Sequence, residues 1–142
     1  MSMFADTTYA KTMTVAKKLL NVYSLRAEVI ADNIANVSTP NFKRSDVTFE
    51  YQLGRALDSE KYNGLEAKRT DARHFPFNMP MDYREVAPTI TVDFDTSYRN
   101  DKNNVDIDKE MAEEAKNTLR YQMFTQIVNS QYREIRRMIG NA

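Results

Sequence analysis

From Tyr9 to Val37 the apolar residues Met13, Ala16, Leu20, Tyr23, Ala27, Ile30, Ile34 and Val37 recur at spacings of three and four, the period of a coiled-coil seam. No Gly or Pro interrupts them. Pro40 stops the pattern and biases Thr39 towards extended backbone, so a helix is predicted from Thr8 to about Asn36, roughly 43 Å long at 1.5 Å per residue. A weaker flank of Val15, Leu19, Val22 and Val29 runs beside this seam.

A second helical pattern begins after Asn104-Val105. Asp106 is placed to cap its first turn, acidic residues follow where the helix dipole is positive, and Arg133, Arg136 and Arg137 lie near the other end. With Gly140 as a stop, the helix spans Asp106 to Ile139, on the order of 50 Å. It carries two apolar stripes. At about 100° per residue, Ala112, Ala115, Leu119 and Met123 share one face, while Tyr121, Phe124, Val128, Tyr132, Ile135 and Ile139 share nearly the opposite one. A helix apolar on two sides is buried on two sides. The expectation is that the first stripe pairs with Ala16, Leu20, Tyr23, Ala27, Ile30 and Ile34 inside the chain, and that the second meets another subunit.

Between residues 41 and 103 the periodicity fails. Phe49, Leu53, Ala56 and Leu57 suggest a short helix within Asp46 to Leu57, and Thr89 to Asp95 alternates as a half-buried strand. The run with Pro76, Pro80 and Pro88 reads as loop. The predicted fold is mainly α: long terminal helices paired as a coiled-coil-like hairpin, with a loop-rich insertion holding a short helix and a little β. Residues 1–40 and 104–142 form one discontinuous helical domain, and 41–103 form the insertion.

Composition narrows function chiefly by exclusion. Twenty basic residues balance twenty acidic ones, so no net field points to nucleic acid or to an anionic membrane. Cysteine is absent, which removes disulfides and thiolate chemistry. Residues 1–9 lack the basic and apolar regions of a cleavable signal peptide, and no apolar run approaches the roughly 20 residues of a membrane span. His74, the one histidine, cannot build a triad and reads as a loop or interface residue. Asp101 to Asp106 starts like a calcium loop but puts Val105 at the fifth position, Asp106 where Gly belongs and Ala112 in place of the bidentate Glu. Helix capping is the expected role. Glu110, Glu113 and Glu114 read as a solvated face favoured by the dipole, not as an acid and base pair. No phosphate-cradling glycine motif is present, so the expectation is no enzyme, no cofactor and no metal. Eight Tyr and eight Met suit an interface as well as a core.

Two motifs then carry a resemblance. Asn33-Ile34-Ala35-Asn36, with Thr39-Pro40 and the aromatic Phe42, resembles the N-terminal signature of flagellar axial proteins, the rod, hook and hook-associated subunits. That signature usually has Gly where this chain has Asn41, and Asn is the next best residue for a left-handed turn. Asn103-Asn104-Val105-Asp106-Ile107-Asp108-Lys109-Glu110-Met111, followed by Leu119-Arg120-Tyr121, is similar to the proximal-rod branch of the family. Arg44, Asp46, Phe49 and the segment Thr70 to His74 point the same way. The resemblance implies a structural subunit of the proximal rod of the basal body, in the periplasm, exported through the flagellar type III apparatus. It implies packing with copies of itself and other rod proteins, and contact with the rod adaptor FliE and the MS-ring, without nucleic acid, small-molecule substrate or membrane insertion. Another rod subunit, or a soluble helical adaptor or export chaperone, is the alternative.

Overall fold

The computed structural model describes residues 8–61, 71, 81–94 and 99–140. In chain order the elements are helix α1 (Thr8–Ala35), strand β1 (Ser45–Thr48), helix α2 (Glu50–Lys61), strand β2 (Thr89–Val92) and helix α3 (Ile107–Gly140). The fold is mainly helical, with α1 packed along α3 and an antiparallel two-stranded sheet of β1 and β2. The chain divides into two compact units, Met1–Val47 with Ile90–Ala142, and Thr48–Thr89.

In the first unit α1 ends at Ala35, where Asn36 to Asn41 form successive turns closed by Thr39 N–H donating to Asn36 O and Phe42 N–H to Thr39 O. Asn41 has φ 62°, the left-handed conformation that Gly or Asn adopts with least strain. Asp106 caps α3 as expected: its Oδ1 accepts from the N–H groups of Asp108 and Lys109 at 3.0 and 3.3 Å.

The face that α3 turns to α1 reverses the expectation. Phe124 packs on Tyr23 with ring centroids 5.7 Å apart. Asn117 Nδ2 donates to Tyr23 O at 2.8 Å, and Tyr9 Oη to Gln131 O at 2.9 Å. Phe124, Val128 and Ile135, expected at a subunit interface, are half-buried; Tyr121, Tyr132 and Ile139 are exposed, with Lys17 Nζ 5.6 Å from the centre of the Tyr132 ring. Ala112, Ala115, Leu119 and Met123, expected in the intramolecular seam, are all exposed, Leu119 at 66%. The reason lies in the polar residues. Glu110, Asn117, Phe124 and Gln131 recur every seven positions and form the inner line of α3, so apolar periodicity alone finds both stripes without deciding which one meets α1.

The buried side of α1 is correspondingly wider than one stripe. Ala16, Tyr23 and Ile30 are buried as expected, Leu20 and Ile34 only half, and Ala27 is exposed. Leu19, Val22 and Val29, expected as a flank, are buried. Besides packing on α3, α1 bonds to β1 through Arg26 and Asn33. An element held on two sides buries two adjacent stripes.

In the second unit, Phe49, Leu53, Ala56, Tyr83 and Val86 are buried. Met81 N–H donates to Ser59 Oγ at 2.9 Å, and that hydroxyl donates to Ala56 O. The short helix begins at Glu50, not Asp46, because Asp46 to Thr48 are extended in β1. All four residues of β2 are exposed, so the half-burial expected from its alternation is not found; a two-stranded sheet leaves strand faces uncovered. His74, Pro76, Pro80, Asp95 and all of Thr70 to His74 except Asp71 lie outside the described residues.

The buried side of α1 and the outer stripe of α3 give a direct comparison in urea unfolding followed by far-ultraviolet circular dichroism. Val22→Ala, at a site 1% exposed, should cost about 2 kcal/mol. Leu119→Ala should stay within about 0.5 kcal/mol. Equal losses would return Leu119 to the buried seam.

Candidate functional site

The densest polar arrangement of the first unit lies where α1 ends, β1 begins and α3 starts. Glu110, read from sequence as solvated, is 0% exposed. Its Oε1 accepts from Arg44 Nε and its Oε2 from Asn33 Nδ2 at 3.0 Å. Arg44 also reaches Asp46 Oδ2 at 3.4 Å. Burial alone lowers the affinity of the Arg44 guanidinium for its proton, but the hydrogen bond and charge of Glu110, with Asp46, outweigh it and hold the pKa above the ordinary value. A buried carboxylate is stable only with such partners.

Asn33, also without exposed surface, acts as a piece of β-ladder. Its Oδ1 accepts from Ser45 N–H at 3.0 Å, and its Nδ2 donates to Ser45 O at 2.8 Å. Arg26 NH2 donates to Val47 O at 2.9 Å. Asn104 closes the sheet at its end: its Oδ1 accepts from Arg44 N–H at 2.7 Å, and its Nδ2 donates to Asp93 O at 2.9 Å. Asp93 N–H in turn donates to Arg44 O at 2.8 Å.

Residues 99–105 clamp the exit of α1. The fully buried Asn103 Nδ2 donates to the carbonyls of Asn36, Val37 and Thr39 at 2.9, 3.1 and 2.9 Å, while its Oδ1 accepts from Val105 N–H at 2.7 Å. Helix-end carbonyls need such donors. Arg99 NH1 donates to Val37 O, and Asn41 N–H to Asp101 O. The Arg99 guanidinium, hydrogen-bonded to the Asp101 carboxylate, holds that group below the usual carboxylate range, helped by the N–H of Asn103. Lys102 has φ 61°, a turn that returns the chain towards α3.

The motif residues of the sequence therefore divide. Asn33, Asn36, Thr39, Asn104, Val105, Asp106 and Glu110 meet at this junction, with Val105 buried. Ile34 and Phe42 are half-buried, and Ala35, Pro40 and Met111 are exposed. Asn103 stands in the motif read from sequence but without a role, and the pairing of Arg44 with Glu110 was not assigned from sequence. Arg44 and Glu110 stand 66 positions apart, and no local pattern links them. Each carboxylate oxygen of Glu110 already accepts a hydrogen bond. The chemistry of the arrangement is that of a lock between chain segments.

A model for the flagella basal body rod protein family matches residues 20–43, the last turns of α1 through its clamped exit. Across the length of the chain, it is 40% identical over 127 residues to the flagellar basal body rod protein FlgB of Borrelia hermsii, covering 89% of this chain and 94% of that one. The chain belongs to the FlgB family of flagellar basal body rod proteins. FlgB of Borreliella burgdorferi is 34% identical over the same shares, and FlgB of Bacillus subtilis 34% identical over 92% of this chain and 95% of that one. A FlgB-family chain is a structural rod subunit of the flagellar basal body and assembles with other rod components. Among the described residues, no helix is long and apolar enough to cross a membrane.

Breaking the lock and replacing it should differ. Arg44→Ala leaves Glu110 buried without its charge partner and should cost about 3 to 5 kcal/mol. The double variant Arg44→Met with Glu110→Leu should recover most of that loss in the same urea titration. A double variant no more stable than Arg44→Ala would show that the charges themselves, not their pairing, hold the junction.

Asn103→Ala strips three carbonyls of one donor and should cost about 2 to 3 kcal/mol. Hydrogen exchange should rise first at Thr39, Asn41 and Phe42. Unchanged exchange there would remove the clamp from the account.

Proposed function

We propose that this rod subunit is a non-catalytic, load-bearing element of the proximal rod that transmits torque through packed helices. The observation carrying this reading is the exposed stripe of α3. Met111, Ala112, Ala115, Leu119 and Met123 lie within one third of the helix circumference, nearly opposite the side that meets α1. Such a surface on a soluble chain is covered on assembly.

The expected assembly face therefore moves from the aromatic stripe to this one, with the exposed far end of α3, Met138 and Ile139, as a second contribution. The helical pair of residues 1–40 and 104–142 acts as the rod-forming domain, and the insertion of residues 41–103 supplies the junction and contacts to neighbours. The Glu110 carboxylate is enclosed and both of its oxygens are engaged within the fold, which supports a non-catalytic role. Contact with the rod adaptor FliE and the MS-ring, export through the type III apparatus and a periplasmic position come from the family resemblance.

Leu119→Asp tests the stripe. The residue is exposed in the free chain, so the variant should keep wild-type helicity and unfolding midpoint, and rods should fail to form because a charge is forced into the contact. Swimming and immunoblots of isolated basal bodies, in cells carrying only the variant, give the readout. Normal motility with normal incorporation would remove the stripe from the assembly surface.

A further inference from the structure

The outer faces of α1 and α3 carry one pattern with opposite charge. On α3, Ala112, Ala115, Leu119 and Met123 are exposed. On α1, Ser24, Ala27, Ala31 and Ala35 are exposed at the same successive spacings of three, four and four. Each row is about 17 Å long at 1.5 Å per residue. Lys116 and Arg120 lie about 75° past the middle of the α3 row, and Glu28 and Asp32 lie about 75° past the middle of the α1 row, in the same rotational sense. All four are exposed. Lys116 pairs with Glu113 of its own helix at 2.8 Å. Among the described residues no ion pair occupies Arg120, Glu28 or Asp32.

We propose that the α3 row of one copy packs antiparallel on the α1 row of a second copy, with Arg120 facing Glu28 and Lys116 facing Asp32. Antiparallel helices bring flanks of the same sense to the same side of their contact. The two cations, four positions apart, therefore meet two anions four positions apart, whereas a parallel contact would put them on opposite sides. Charges beside a helical seam set partner and orientation. In this register Leu119 enters the space between Ala27 and Ala31, where short side chains leave room for it. The α3 row is not its own complement: a two-fold contact of row on row would set Lys116 and Arg120 against their copies. The complement is on α1 of the same sequence, which is why a second copy fits.

Each copy gives one face and receives one, so the contact occurs twice per subunit. It joins unlike surfaces and generates a directional row of copies. This inference rests on the reading of the α3 stripe as an assembly face, and it names what covers that face.

The chain has no cysteine, so Ala31→Cys with Ala115→Cys in the full-length protein reports the contact. Both positions face away from the helical pair of their own copy, which puts a disulfide within one chain out of reach. Oxidation of basal bodies from cells carrying only this variant should link copies into dimers and higher multiples, since every copy brings one thiol of each kind. Either cysteine alone should give little linked product. Adding Arg120→Glu or Glu28→Arg should lower the linked fraction about fivefold, and adding both should restore it. Ala115→Cys alone linking as well as the pair would set the row against itself, and an incorporated variant that links no copies would give the face to a different rod subunit; either result overturns the proposal. If the cysteine pair is not incorporated, the charge exchange decides by swimming in its place: no loss in Arg120→Glu and Glu28→Arg, or no recovery when the two are combined, also overturns it. Leu119→Asp blocking assembly while these tests fail would keep the rod reading and remove only this partner, whereas a motile Leu119→Asp strain would remove the stripe itself.

Discussion

A carboxylate with no exposed surface must be met by a cation and hydrogen-bond donors, and most of the first unit is arranged around meeting that demand at Glu110. Its two oxygens face Arg44 and Asn33, which come from the chain just ahead of β1 and from α1. Three segments are thereby tied at one point. Sliding α3 by one turn would carry Glu110 about 5.4 Å from its partners and leave a buried charge unpaired, so the junction sets the register of the helical pair as well as its strength.

The rest of the α1 and α3 contact follows the same logic with weaker groups. Asn117 and Gln131 continue the line of Glu110 at sevenfold spacing and flank Phe124. Buried amides in a helical seam lower stability and specify alignment. The amide oxygens of Asn117 and Gln131 have no hydrogen-bond partner among the described residues, which fits a seam selected for alignment more than for maximal stability. Because the inner line is partly polar, much of the apolar surface of α3 is left outside. The same choice that fixes how the chain folds on itself also determines what it offers to a neighbour.

At the exit of α1, Asn103, Asn104 and Arg99 replace what a longer helix or a third strand would have supplied. One asparagine amide serves three carbonyls, another bridges the ends of two strands, and an arginine donates to one of the same three carbonyls, that of Val37. Small polar side chains can do this only when the backbone of residues 99–105 is itself held, and Asp101 holds it by accepting from Arg99 and from the N–H of Asn103. The family-model match over residues 20–43 covers the helix end that this clamp grips.

Local chemistry was legible in the sequence. The two long helices, their ends at Pro40 and Asp106, the left-handed turn open to Asn41, the strand at Thr89 and the family motif all follow from spacing, capping and backbone preference, which act over a few residues. The choice between the two stripes of α3, the burial of Glu110 and the start of α2 after β1 were decided only in the tertiary structure. Each depends on partners far away in the chain: Tyr23 for Asn117 and Phe124, Arg44 for Glu110, and Asn33 and Arg26 for the strand at Ser45. Hydrophobic periodicity identifies the surfaces able to be buried. Which of them is buried depends on where polar side chains find partners, and that distance information is absent from any local window of sequence.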